Sequence, residues 1–212
     1  MNGQAKTLIE RMRAPRRPSA PAAARVVVAS GRASGHLAEL TADLALACAQ
    51  LEEATALIEL PHAGGATTAT LAQRGLELPI SGQLQLVSAG AGVPAVEALA
   101  GASVGLVVLE QRPQAVRSAY ALVKRVVLHD PSAAERLAFL VCPAHRPAKA
   151  KELVRGLQDM VRRFLAVEVD DLELAGVGPA SAERTLAVRL LARRVLGRCA
   201  EHSAQGSGVA VA

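Results

Sequence analysis

From residue 25 onward, short runs of Val, Leu and Ala alternate with longer stretches in which apolar residues recur every three to four positions. A short unbroken apolar run suits a strand, whereas the longer recurrence lays an apolar stripe along a helix. The pattern predicts strands at 25–29, 55–60, 84–88, 104–109, 137–142 and 172–177, and helices at 35–52, 66–74, 93–100, 113–128, 148–164 and 182–199. In the first of these helices Leu37, Leu40, Leu44 and Leu51 share one side. Strands alternating with helices imply βαβ units. Residues 25–200 are therefore expected to form a single α/β domain, a mostly parallel sheet with helices on both faces.

The two ends differ from this core. Ala5, Leu8, Ile9 and Met12 follow the spacing i, i+3, i+4, i+7 and give residues 4–13 one apolar helical face. Pro15, Pro18 and Pro21, with Arg16 and Arg17 among them, make residues 14–24 an extended, semi-rigid linker. So short a helix is marginal alone because nucleation is costly, so it is expected to dock on the domain or on a partner. Residues 201–212 are small and polar and read as a disordered tail.

Composition narrows the function classes. The chain of 212 residues is 51% apolar, with one Tyr, two Phe and no Trp. No apolar run approaches the roughly 18 residues of a spanning helix, and the first residues lack a signal peptide's apolar stretch. Three cysteines, Cys48, Cys142 and Cys199, are too few for a disulfide framework and fit a reducing cytoplasm. Net charge is +5 for the whole chain, but residues 1–25 carry +5, residues 181–212 carry +3 and residues 26–180 carry −3. With the basic character at the ends and few aromatics for base stacking, a nucleic-acid face on the domain is not expected. Cys142 and His145 make a poor metal or nucleophile pair, with Pro143 between them and no further ligand nearby.

The stretch Val28-Ala29-Ser30-Gly31-Arg32-Ala33-Ser34-Gly35-His36-Leu37-Ala38, followed by Leu44-Ala45-Leu46-Ala47, joins the first predicted strand to the first predicted helix. Without a gap, it resembles the phosphate-binding loop of the MinD/ParA group of P-loop ATPases, S-G-K-G-G-V-G-K-T followed by L-A-L-A. The spacing matches and the chemistry departs. The resemblance puts Arg32 at the family's signature lysine, Leu37 at its phosphate-binding lysine and Ala38 at its magnesium-ligating hydroxyl, with Ser34 and His36 at loop glycines. A P-loop works because glycines let backbone N–H groups wrap the phosphates while a lysine neutralises them and a hydroxyl holds Mg²⁺. Leu37 offers neither charge nor donor, Ala38 cannot ligate a metal, and the planar fork of Arg32 is no equivalent of lysine. A plain strand-to-helix turn over Ser30–His36 is the simpler reading, although backbone N–H groups there could still receive an anion.

Other segments extend the resemblance. No Asp occurs between Asp43 and Asp130, the interval that should hold the family's two aspartate-bearing strands. Glu59, in Leu57-Ile58-Glu59-Leu60-Pro61, is the nearest match to the family's L-D-A-D, with Pro61 at the second Asp. Residues 88–101 read as one strand-helix unit where the family has two. The stretch from Val107 to Lys124, containing Ala119-Tyr120-Ala121-Leu122-Val123-Lys124, resembles V-V-T-T-P-E-P-T-A-I-T-D-A-Y-A-L-I-K. Leu140-Val141-Cys142 stands at L-V-N, whose Asn contacts the base, and Arg163-Phe164-Leu165-Ala166-Val167 resembles the R-F-L-G-V of the flagellar-number regulators of the FlhG (FleN) type. Gly3-Gln4-Ala5-Lys6-Thr7-Leu8-Ile9 keeps three residues of that type's D-Q-A-x-x-L-R motif.

This resemblance implies a P-loop NTPase-like fold and a non-catalytic regulator of flagellar number or placement, with no nucleotide or metal cofactor. It implies an FlhF-type signal-recognition GTPase as partner, engaged through Gln4, Ala5, Leu8, Ile9 and Met12, and flagellar basal-body or transcriptional-activator proteins as further partners. Two alternatives stay open: a residual ATP-binding switch, and a scaffold of another polar or secretion system such as cellulose secretion. The helix at 182–199 also has two readings. It is either the last packed helix of the sheet or, as in the MinD group, a basic amphipathic helix that lies weakly on the inner membrane or pole through Arg189, Leu191, Arg193, Arg194, Val195 and Arg198.

Overall fold

The computed structural model describes residues 23–32, 34–51, 54–63, 65–75, 77, 82–169, 172, 176–178 and 182–207. The expected N-terminal helix, with Gln4, Ala5, Leu8, Ile9 and Met12, and nearly all of the proline linker lie outside these residues. Five strands, β1 (Ala24–Ser30), β2 (Thr55–Glu59), β3 (Leu84–Gly90), β4 (Val104–Leu109) and β5 (Leu137–Val141), form one sheet in the order β2-β3-β1-β4-β5. Every pairing is parallel. The helices are α1 (Gly35–Gln50), α2 (Ala66–Gln73), α3 (Val93–Ala100), α4 (Pro113–His129), α5 (Pro147–Leu165) and α6 (Ala182–Ser207).

The sheet has a core on each face. Val27 and Ala29 of β1 join Val107, Phe139 and the inner sides of α3, α4 and α5. Val26 and Val28 join Leu86, Leu106, Leu140 and the inner sides of α1 and α6. A strand covered on both faces has no reason to alternate apolar and polar residues, which is why β1 and β4 read as continuous apolar runs. Gly105 in β4 is small for a packing reason. A Cβ there would lie 2.7 Å from Leu137 Cδ2 and 2.9 Å from Leu99 Cδ2, so its absence lets α3 and β5 close over the strand.

Three expectations need correction. The sixth strand, expected at 172–177, is represented among the described residues by an isolated parallel bridge from Gly176 to Val141. Val177 N–H donates to Val141 O at 2.9 Å, so this segment continues the β5 edge for one step. The tail is not irregular from residue 201: α6 runs to Ser207, because Ala200, Ala204 and their neighbours are compatible with helix once the preceding turns are packed. The membrane contacts also fail in part. Leu191 and Val195 are 0% exposed and sit with Val188, Ala192 and Cys199 in the second core, so α6 uses its apolar stripe to cover the sheet. Arg189 and Arg193 are exposed, whereas Arg194 donates to the Leu172 carbonyl and Arg198 is half-buried.

The topology places a crevice. From β1 the chain runs through α1 to β2, two places away, and from β3 it runs through α3 to β4, passing across β1 on the opposite face. The carboxyl end of β1 is therefore the switch point at which an open parallel sheet offers a ligand site.

Candidate functional site

At that switch point lies the loop that resembles a phosphate-binding loop. Leu37, which the sequence resemblance sets against the phosphate-binding lysine, is only 4% exposed and packs in the second core with Leu40 and Leu44. Ala38 is likewise buried. Arg32, Gly35 and His36 face solvent, and His36 Nδ1 lies 3.7 Å from Glu39 Oε2, one turn along α1. Gly31 lies directly on α4: a Cβ there would be 2.3 Å from the Ser118 carbonyl carbon and 2.4 Å from its oxygen.

The loop is closed from within. Ser30 Oγ donates to the Arg32 carbonyl, and Ser34 Oγ donates to Glu110 Oε1 at 2.9 Å across the loop. Ser34 has the extended backbone of an N-cap, yet its side chain makes no capping bond to α1. Between Ser30, Gly31, Ser34, Glu110 and Ser118 there remains a void of about 20 Å³. That is room for about one water molecule, against roughly 300–1,000 Å³ for a small-ligand pocket.

Glu59, the nearest match to a family aspartate, ends β2 and turns to the amino end of α2. Its Oε1 accepts from Thr67 N–H at 2.9 Å, and its Oε2 accepts from Thr68 N–H at 3.0 Å and Thr68 Oγ1 at 2.7 Å. Burial alone would raise this carboxyl, but the hydrogen bonds from Thr67 and Thr68 outweigh it and hold it below the usual range. The carboxylate is thus the side-chain cap of α2, and its reach to the loop is spent. β3, which pairs with β1, presents Ser88 at its carboxyl end, hydrogen-bonded to Thr67 Oγ1 at 3.0 Å. Among the described residues, β3 and α3 are the one strand-helix unit between β2 and β4.

Cys142 follows β5 and is fully buried. Burial pushes its thiol up to about 11, against the lowering pull of the Arg184 guanidinium beside it. A thiol held protonated is neither a nucleophile nor a metal ligand, and His145 points to solvent. Arg184, at the start of α6, is the one charged residue of that helix in the core; its Nε donates to Asp43 Oδ2 at 2.7 Å and its Nη1 to Gly178 O at 3.3 Å. Asp43 also pairs with Arg74, so one carboxylate of α1 ties α2 and α6 to it. Arg184 was not singled out from residue spacing. Its place ahead of the apolar positions Val188, Leu191 and Val195 on the buried stripe was the available signal.

Tyr120 and Phe164 form a second grouping that residue spacing does not reveal. These come from the two segments that best match the resembled family, A-Y-A-L-V-K and R-F-L-A-V, and they meet on the surface between α4 and α5. The ring centroids lie 6.4 Å apart in an edge-to-face arrangement, and the Arg163 guanidinium sits 5.4 Å over the Phe164 ring. Phe164 is 63% exposed. Arg117, Lys124 and Arg125 of α4 and Lys149, Lys151, Arg155, Arg162 and Arg163 of α5 are exposed along the two helices, and of these Arg155 and Arg162 line a separate hollow with Glu135, Asp159 and Glu168.

Five parallel strands between two helical layers, with the strand-to-helix loop at the switch point, define a P-loop NTPase-like α/β fold. No family model matches the chain, and no curated protein matches it in sequence. Among solved structures it is similar to a chain of the MinC:MinD cell division protein complex of Aquifex aeolicus, with 15% identity, 82% of this chain and 96% of that chain covered, and a TM-score of 0.54. It is similar to the MinD cell division protein of Aquifex aeolicus (15% identity, 82% and 97% covered, TM-score 0.53) and to a plasmid partition protein from Borrelia burgdorferi (8% identity, 82% and 98% covered, TM-score 0.53). At these identities the likeness is one of fold. No helix among the described residues is long and apolar enough to cross a membrane.

Proposed function

We propose that this chain is a non-catalytic regulator built on the MinD fold, acting in the manner of the FlhG (FleN) proteins on flagellar number or placement through protein contacts. The observation that carries the reading is Leu37. The residue at that position is a core residue, so the position presents neither charge nor donor to the loop. The small void beneath the loop and the capping role of Glu59 support the same reading. One neighbour, the MinC:MinD complex, works with a protein partner, and partner binding is the part of that behaviour carried over here.

Two surfaces serve the contacts in this reading. The segment with Gln4, Ala5, Leu8, Ile9 and Met12 engages an FlhF-type GTPase, Gln4 positioning the attacking water through its amide. The α4–α5 face receives an acidic segment of a second partner, such as a basal-body protein, since exposed aromatic and arginine side chains are the commonest anchors of protein interfaces. The Phe164 ring face is already covered by Arg163, which favours a protein ligand over a stacked base. The test is GTP hydrolysis by the FlhF-type GTPase of the same cell. The full chain and a peptide of residues 1–14 should both accelerate it. Leu8→Asp should abolish binding, and Gln4→Ala should reduce stimulation more than affinity. Equal stimulation by a chain lacking residues 1–14 overturns this mechanism.

A further inference from the structure

We propose that Glu110 is an internal latch, a carboxylate supplied by the chain itself that ties Ser34, at the start of α1, to the end of β4 without any ligand. The inference rests on the non-nucleotide reading above and adds the device that makes it workable. A loop that needs no ligand still needs something to hold it, because the amino end of a helix leaves N–H groups unsatisfied and carries partial positive charge. Glu110 stands at the carboxyl end of β4, beside β1 in the sheet, so the fold itself delivers its carboxylate to the start of α1.

Three independent observations converge on it. Ser34, in N-cap position, gives up its usual role as acceptor for the helix and donates its hydroxyl to Glu110 instead. The second Glu110 oxygen lies 3.6 Å from Arg112 Nε, which fixes the carboxylate from the outer side. Gly31 is pressed on the Ser118 backbone, and the residual void admits about one water. The neighbouring Gln111 extends the clamp: its side-chain amide donates to Arg146 O at 2.8 Å and accepts from Arg146 N–H at 3.2 Å, joining the ends of β4 and β5. The crevice edge is thereby held in one conformation, and the protein offers its partners a constant surface in place of one gated by a nucleotide.

The test is hydrogen exchange at the amides of residues 30–36 in the full chain. A hydrogen bond to a charged group contributes enough that its loss should speed local opening about tenfold or more. Glu110→Ala and Ser34→Ala should each produce that acceleration, and the double variant should be no faster than either, because both remove one interaction. Glu110→Gln, whose amide oxygen still accepts from Ser34, should recover most of the protection. Amides 24–29 of β1 and those of β4 should exchange as in the wild type in all four proteins. Unchanged exchange at 30–36 in Glu110→Ala, or additive acceleration in the double variant, overturns the latch. A slowing of the same amides in the wild type by ATP with Mg²⁺ overturns instead the non-nucleotide reading on which it rests.

Discussion

The crevice edge and the α4–α5 face use charge in opposite ways. At the crevice edge Glu59 is spent on α2 and Glu110 on Ser34, and further along α1 Asp43 is spent on Arg74 and Arg184. Along α4 and α5, by contrast, eight cations and two acids are exposed, and the half-buried Tyr120 meets the exposed Phe164. In a parallel α/β fold the crevice is where chemistry is expected. Here it is packed and internally satisfied, and the unsatisfied chemistry lies on the outer surface of two helices. On the reading proposed above, contacts are made from that outer surface, and the sheet depends on burial and not on the loop's ligand.

The largest effect should come from restoring the lysine. Leu37→Lys puts an ammonium among Leu40, Leu44 and Val28, and an uncompensated buried charge costs about 3–5 kcal/mol. Urea denaturation should show that loss, and the variant should gain no affinity for ATP. A stable Leu37→Lys protein would mean that the crevice is open after all. Next, Gly31→Ala drives a methyl group into the Ser118 backbone and should cost about 1–3 kcal/mol by the same measurement.

How far the molecule could be read in advance follows from which interactions are local. α3 and β4 have the bounds that the pattern gave them, because Gly92 and Pro94 open one and Gly101 closes it, leaving an unbroken apolar strand beyond. Gly92 adopts φ +92°, a backbone that favours glycine over any side chain, so its punctuation is structural. The burial of Leu37 was implicit in its place on the Leu37, Leu40, Leu44 stripe. The end of α6 was not legible, since its last turns have the composition of a loop and gain order from the packed turns before them. The bonds of Glu110 to Ser34 and of Arg184 to Asp43, and the meeting of Tyr120 with Phe164, join residues far apart in the chain. Only the strand order brings such residues together, and local periodicity carries no record of it.

Smaller effects should refine the contrast. Glu59→Ala removes the acceptor for the first N–H groups of α2 and should cost about 1 kcal/mol, in the range of a lost helix cap. Its sign with pH is definite. The folded-state carboxyl lies below its ordinary value of 4.5, so the contribution is complete above that value and is lost as pH falls through the lower folded value. The wild type should lose more stability than Glu59→Ala in that acid window. The smallest effect on stability belongs to the outer face: Phe164→Ala should cost less than about 1 kcal/mol, since the side chain is 63% exposed. The same change should weaken binding of an acidic peptide at least about tenfold, as expected for an aromatic anchor. Wild-type binding should itself fall with added salt.

The account stands most directly on thermal unfolding of the full chain with and without about 1 mM ATP and excess Mg²⁺. A ligand at about 100 times its Kd stabilises the native state by about 2.7 kcal/mol, which in a domain of this size raises Tm by about 5–10 °C. The account predicts a Tm unchanged within about 1 °C, because Leu37, Ala38 and the closed loop leave the phosphates without a seat. A rise of several degrees that requires both ATP and Mg²⁺ would contradict it.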